Sequence, residues 1–389
     1  MVLAEFWGYK REDGRVGIRN YVGVMSSVTC ANSVVQKITD AVDGTLPITH
    51  REGCAQIGAD YEQTVRTLVG LGTHPNLASI LVVGWGCENV LANELAAKIK
   101  SMRDFPVEWM IVQDSGGLLK SIEKGSAIAQ EMVRKASTLQ REPMDLSGLI
   151  IALQCGGSDT TSGIAANPAV GVMSDMVVTE GGSVILSETT EIIGAEHILA
   201  RRAVNEEVAN DLIRIVNRFE ENAKNMGVDI RGSQPTSGNI AGGLSSIEEK
   251  SLGAIEKAGS TPLQEVLDYS YRPSKKGLLV MDTPGRDPES ITGMFAAGAQ
   301  AMVVTTGRGI PTASMLVPTL KLTGNPNAQK ISEELMDIDG SLIVQGKKTI
   351  EETGKELFEE LIAVASGKKT KAEILGLDEL SILRAGPTL

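Results

Sequence analysis

An alternation constrains this chain most: short runs rich in Val, Ile and Leu recur along it, with stretches of helical spacing between them. Runs at 21–25, 46–49, 80–83, 107–112, 149–153, 184–187, 277–281 and 301–305 read as strands. The stretches 33–42, 61–71, 89–102, 118–135, 205–225 and 349–365 read as helices. Strand and helix in alternation build βαβ units, so the expected class is α/β with mainly parallel sheets flanked by helices, Rossmann-like. A polar stretch at 136–146 carries Pro143 and separates four strand candidates from the rest. It divides the chain into two expected α/β domains, 1–140 and 147–389. A second irregular stretch, 229–246, is rich in glycine and reads as one long loop, a type that is usually functional or disordered.

At 389 residues there is room for two cores. A net charge of -12 excludes a nucleic-acid binder, which needs a basic face to displace counterions. It also means that an anionic substrate must be held by a few local cations or a metal, against the field of the whole protein. No run approaches the roughly 20 apolar residues that span a bilayer. The first residues lack the basic and apolar regions of a signal peptide. A cytoplasmic protein is expected, with no membrane partner. Four cysteines are too few for a disulfide framework.

Ligands of parallel sheets collect beyond the carboxyl ends of the strands, and there the cysteines lie. Cys30 follows the first strand, Cys87 the third and Cys155 the fifth, while His50 and Cys54 follow the second in THREGC. A cysteine at a strand end is often just a small packing residue. Four at one kind of position, beside Glu52, Glu88 and Asp159, point to a metal. Thiolates select iron, zinc or iron–sulfur clusters, and imidazole and carboxylate extend the choice to ferrous iron and manganese. In QCGGSDTTSG, starting at Gln154, the glycines permit close backbone approach, and Ser158, Thr160 and Ser162 offer donors at a helix start. A capped tight turn is the plain alternative. In SETTEIIGAEH, Glu188 ends the sixth strand, and Glu191, Glu196 and His197 follow within about three helical turns. After the last strand, Arg308 in TTGRG is either a carboxylate clamp or a surface charge.

These motifs resemble those of the altronate and galactarate dehydratase family. The resemblance rests on GYKREDGRVGIRN, THREGC, LQCGGSDTTSGIAANPAVG, LSETTEIIGAEH, GNIAGGLSSIEEKSLGAIEKAG, MDTPGRDP and TTGRG, and runs from Gly8 to the C-terminal region. It implies a hydro-lyase that converts an aldonate or aldarate to a 2-keto-3-deoxy acid with ferrous iron or another divalent metal. The family's long form carries a small SAF domain ahead of GYKR. This chain begins close to the motif, so a separate small SAF-domain subunit is an expected partner, as in sulfolactate sulfo-lyase, whose large subunit is similar. THREGC and GWGCE are kept in the dehydratase form, which favours loss of water over loss of sulfite.

On this reading Cys30, Cys87 and Cys155 form the metal side, with His50, Cys54 and Glu188 competing for the same role. His197, Glu191 and Lys250 are the acid and base candidates. Ser158, Asp159, Thr160, Ser162, Asn167 and Arg308 are the substrate-binding candidates. Fe2+ is the expected metal, with Mn2+ or an iron–sulfur cluster as alternatives, and a homo-oligomer is expected. A subunit that binds a sugar acid without catalysis is the alternative from outside enzymology.

Overall fold

The computed structural model describes residues 4–386. It contains two parallel sheets and one small antiparallel sheet. The first parallel sheet has four strands in the order Thr45–Ile48, Tyr21–Ser26, Leu77–Gly84, Val107–Ile111. From Tyr21–Ser26 the chain crosses through helix Asn32–Ala41 to one neighbour and later through helix Gly58–Gly72 to the other, which makes that strand's carboxyl end a switch point. The second parallel sheet has seven strands, ordered Leu263–Leu267, Gly277–Met281, Ser183–Leu186, Ile150–Gly156, Ala301–Thr306, Thr319–Thr323, Ile338–Asp339. Its switch point is the carboxyl end of Ile150–Gly156. Helix Asn167–Thr179 leads to the strand on one side, and helix Asp287–Ala296 brings the chain back to the other side.

Helices cover both faces of the sheets, which is why Leu77–Gly84 and Ala301–Thr306 are buried along their whole length. The two sheets share a core. Helices Gly58–Gly72, Ala92–Met102 and Asp287–Ala296 pack with Met25, Ile80 and Val82 of the first sheet and Ala152, Met281 and Met302 of the second. Gly70 lets two of these helices meet, since a Cβ there would stand 2.3 Å from the carbonyl oxygen of Ala296.

The N-terminal motif closes the seam. Arg11 donates to the carbonyls of Pro75 and Arg19, and Arg15 to that of Thr73. Arg19 forms a buried pair with Glu373 at 2.7 Å. His74 Nε2 donates to the Ala299 carbonyl, and Asn76 bonds Ile18, Gln300 and Leu316. The arginines of GYKREDGRVGIRN are thus held on backbone carbonyls and on the side chains of Glu373, Asp13 and Asn20, an architectural role.

All eight expected strands and six expected helices are present, with shifts of at most three residues at their ends. Three local expectations change. The 136–146 stretch is not wholly irregular, because Glu142–Asp145 pairs antiparallel with Glu5–Lys10. Pro143 is tolerated because that strand lies at the edge of its sheet. The 229–246 stretch contains short helices, Ile230–Ser233 and Ser237–Ala241, the second closed by a capping box between Thr236 and Asn239. The strand Thr319–Thr323 escapes a hydrophobicity reading because its centre is Lys321, fully buried with Nζ donating to the Ile310 carbonyl.

Candidate active site

At the switch point of the seven-stranded sheet, Cys155 is the penultimate residue of the central strand. The next strand, Ser183–Leu186, ends just before Ser187 and Glu188. Glu188 is a non-glycine residue at φ 65°, a left-handed conformation that costs energy and is held from both sides. Its N–H donates to Thr283 Oγ1 at 2.7 Å, and its Oε2 accepts from the N–H of Cys155 at 3.0 Å. The following turn, Thr189–Glu191, brings Glu191 back over the strand end.

The result is a buried cluster. Cys155 Sγ lies 2.5 Å from Glu191 Oε2, 3.4 Å from Glu188 Oε2 and 2.8 Å from Lys257 Nζ. Lys250 Nζ reaches Glu191 Oε1 at 2.9 Å. Cys155, Glu188 and Glu191 are the one trio of Cys, His, Asp and Glu among the described residues whose ligand atoms all lie within 4.8 Å of one another.

Burial and like charge push these groups apart in acidity. Desolvation raises the thiol of Cys155 well above its ordinary range, helped by Glu188 and Glu191. Desolvation also raises Glu188, again helped by Glu191. For Glu191 burial pulls the same way, but Lys250 and Lys257 together outweigh it and hold the group below its usual range. Burial opposes the charge on Lys250 and Lys257, yet their anionic neighbours leave both raised. Asp287 stands beside the cluster, joined to Gln154, and burial followed by Glu191 lifts it to about 6. Burial and like charge thus favour the protonated forms of Glu188 and Cys155, while the two lysines favour the charged form of Glu191. Three anionic donors clustered around displaceable protons suit a divalent cation, so the residues fit a metal.

The glycine loop after Cys155 is engaged with the protein itself. Asp159 Oδ1 accepts from Thr161, from the Ser162 N–H and from its hydroxyl, and Asp159 Oδ2 accepts from Asn325. Asn239 donates to the Ser158 carbonyl, and Thr160 donates to that of Gly242. Asn167 bonds Gly253 and Thr305. Arg308 is exposed, and its Nη2 donates to the Gly238 carbonyl at 2.8 Å. The helical stretch around Ser237–Ala241 thus lies over the strand end, fastened from the loop and from Arg308. His197 is exposed on the short helix Glu196–Ala200 and makes none of the cluster's contacts.

The remaining cysteines sit apart from Cys155. Cys30, Cys54 and Cys87 are exposed on turns at the carboxyl edge of the four-stranded sheet. His50 is buried at the same edge with both nitrogens engaged: Nε2 donates to the Ser26 carbonyl and Nδ1 accepts the Glu52 N–H. Burial lowers it to about 4, so it is neutral and has no lone pair free for a metal. The structure does not bring Cys30 and Cys87 together with Cys155, because the strand ends that carry them belong to the other sheet, and Cys155 stands instead beside two glutamates.

Residues 8–137 match the family described as D-galactarate dehydratase/Altronate hydrolase, second domain, and residues 146–388 match D-galactarate/Altronate dehydratase, C-terminal. The chain belongs to this dehydratase family. Among its relatives, an altronate dehydratase of Bacillus subtilis is 36% identical over 99% of this chain and 78% of its own length. A galactarate dehydratase (L-threo-forming) of Escherichia coli is 37% identical over 98% of this chain and 77% of its own. A (2R)-sulfolactate sulfo-lyase subunit beta of Chromohalobacter salexigens is 37% identical over 97% of both chains. The family member described here is an enzyme of the lyase class. Among the described residues no helix is long and apolar enough to cross a membrane.

Within the family frame, the structure joins Cys155, Glu188, Glu191 and Lys250 from the sequence reading and adds two residues that it missed, Lys257 and Asp287. Lys257 had a signal: it lies seven residues after Lys250, two helical turns on the same face of Ile247–Ile255 and its extension. Asp287 lies in the MDTPGRDP motif, but as an N-terminal residue of its helix it gave no sign of reaching the cluster, which it does only through the fold.

Proposed function

We propose that this lyase is a hydro-lyase that dehydrates a sugar acid, an aldonate or aldarate, to a 2-keto-3-deoxy acid, with the cluster around Cys155 as its reaction centre. One observation carries the reading: a thiol, two carboxylates and two lysines meet, buried, at the switch point of the sheet, where ligands of such folds bind. Cys155, Glu188 and Glu191 are the residues that would hold a divalent metal, Fe2+ first and Mn2+ second. Such an ion supplies stabilisation for the negative charge that develops when the α-proton leaves.

The chain's own groups then divide the proton work. Glu191 and Cys155 hold the charge on Lys257 and Lys250 against burial, so a cation held by those anions would ease the loss of a lysine proton. One of them can then accept the α-proton, while the other stays charged beside the departing hydroxyl as its acid. Asp287, poised at about 6, is placed to exchange protons with the cluster's surroundings. The stretch around Ser237–Ala241 must lift to admit substrate, and that movement frees the guanidinium of Arg308 and the amide of Asn239 for a carboxylate.

A second reading has support of the same weight in identity: elimination of sulfite from sulfolactate, with a partner subunit, as the name of the Chromohalobacter relative states for that protein. Both reactions begin by removing a proton next to a carboxylate and differ in the leaving group. An anaerobic screen of aldonates, aldarates and sulfolactate with added ferrous iron decides between them. A 2-keto-3-deoxy product is the expected outcome, and sulfite release from sulfolactate alone would overturn it.

A further inference from the structure

We propose that Cys30, Cys54 and Cys87 bind an iron–sulfur cluster at the switch point of the four-stranded sheet, a second centre separate from the Cys155 group. The three thiols come from the turns that follow three adjacent strands, Tyr21–Ser26, Thr45–Ile48 and Leu77–Gly84. Those turns are tied to one another. The Thr29 N–H donates to the Glu52 carbonyl at 3.0 Å, and the Asn89 N–H donates to that of Gly53 at 3.0 Å, so the segment bearing Cys54 bridges the other two. Ala55 N–H donates to Asn89 Oδ1, a further tie between the Cys54 and Cys87 turns, and Ser27 Oγ donates to Glu88 Oε1, which links the Cys30 and Cys87 turns directly. Gly53 permits the approach: it sits at φ 99°, and a Cβ there would lie 2.2 Å from the Ser27 carbonyl oxygen.

All the other candidate donors nearby are already committed. Glu88 accepts the N–H groups of Gly86 and Cys87, Glu52 pairs with Arg384 at 3.0 Å, and both nitrogens of His50 are bonded. What remains is three exposed thiols and no fourth protein ligand, a soft sulfur set. A single tetrahedral ion holds its thiolates about 3.8 Å apart. The only trio of ligand atoms within 4.8 Å of one another among the described residues is the Cys155 group. The three thiols therefore do not close on a single ion, and three soft ligands without a fourth are the count of a cluster whose fourth iron has no protein ligand.

The test reads composition, and so stands apart from any substrate assay. The full chain is purified without oxygen and its iron, acid-labile sulfide and zinc are measured, together with its visible and electron paramagnetic resonance spectra. We expect iron and sulfide in the wild type, loss of the sulfide and of the iron that accompanies it in Cys30→Ser, Cys54→Ser and Cys87→Ser, and retention of the sulfide in Cys155→Ser. Thermal unfolding checks the fold of each variant. Independently of any variant, iodoacetamide should label these three thiols only after the iron is extracted. Zinc without sulfide, a disulfide between two of them, sulfide retained in Cys54→Ser, or thiols labelled fully from the start would each overturn the assignment.

Discussion

Lys257 Nζ stands 2.8 Å from Cys155 Sγ with both side chains buried, which places a cation where three acidic groups would otherwise repel one another. Glu191 keeps Lys250 as a second partner, so the arrangement survives the loss of Lys257 better than its chemistry does. Lys257→Met should fold, as read by circular dichroism, and lose turnover by about 10²-fold or more, the usual scale for a proton-transfer group. Near wild-type turnover would remove Lys257 from the reaction.

Metal affinity at this cluster should rise with pH. The thiol of Cys155 and the carboxyl of Glu188 are both raised, the former first by burial and the latter likewise, so binding a divalent ion must displace their protons. Calorimetry in two buffers of different ionisation enthalpy should report proton release, and Cys155→Ser should reduce it by about one proton. Equal release from both proteins argues against the thiol as a ligand.

Asp287 gives a stability signature with a definite sign. Its folded value of about 6 lies above the ordinary carboxyl range, so between about 4 and 6 the folded state binds more protons than the unfolded state. Ionising it costs stability as pH rises through that window, by at most about 3 kcal/mol. Asp287→Asn should therefore gain stability at pH 7 relative to the wild type and show no gain near pH 4, in denaturant titrations at the two values. A gain of the same size at both would contradict the assignment.

His50 and His74 act in the opposite sense. Burial holds them at about 4 and about 3, below the unfolded value near 6.5, so the unfolded state takes up protons first as pH falls. Each should remove roughly 1.4 kcal/mol of stability per pH unit below about 6.5 until its folded value is reached. Unfolding midpoints that stay flat from pH 6.5 to 5 would show that one or both are protonated in the fold.

Arg308→Ala should loosen the stretch around Ser237–Ala241, because its guanidinium holds the Gly238 carbonyl there. Limited proteolysis should cut that stretch at least several-fold faster than in the wild type, and KM should rise more than kcat falls. An unchanged cleavage pattern would show that Asn239 and the glycine loop suffice to hold it.

The sequence by itself determined the βαβ order, since burial on both sheet faces writes continuous apolar runs at strands such as 80–83 and 301–305. It also placed Cys155 and Glu188 at strand ends, and the motifs led to the family. Its blind spots have physical causes. Thr319–Thr323 carries a buried lysine, and a short edge strand at Glu142–Asp145 buries too little to leave a pattern. Only the tertiary structure decided which strand ends meet. Two switch points, one in each sheet, send Cys30, Cys54 and Cys87 to one place and Cys155 to another, a partition that spacing along the chain cannot encode. Strand-end position is a local property, whereas the choice of neighbour depends on crossover direction, and that choice put Lys257 and Asp287 beside Cys155.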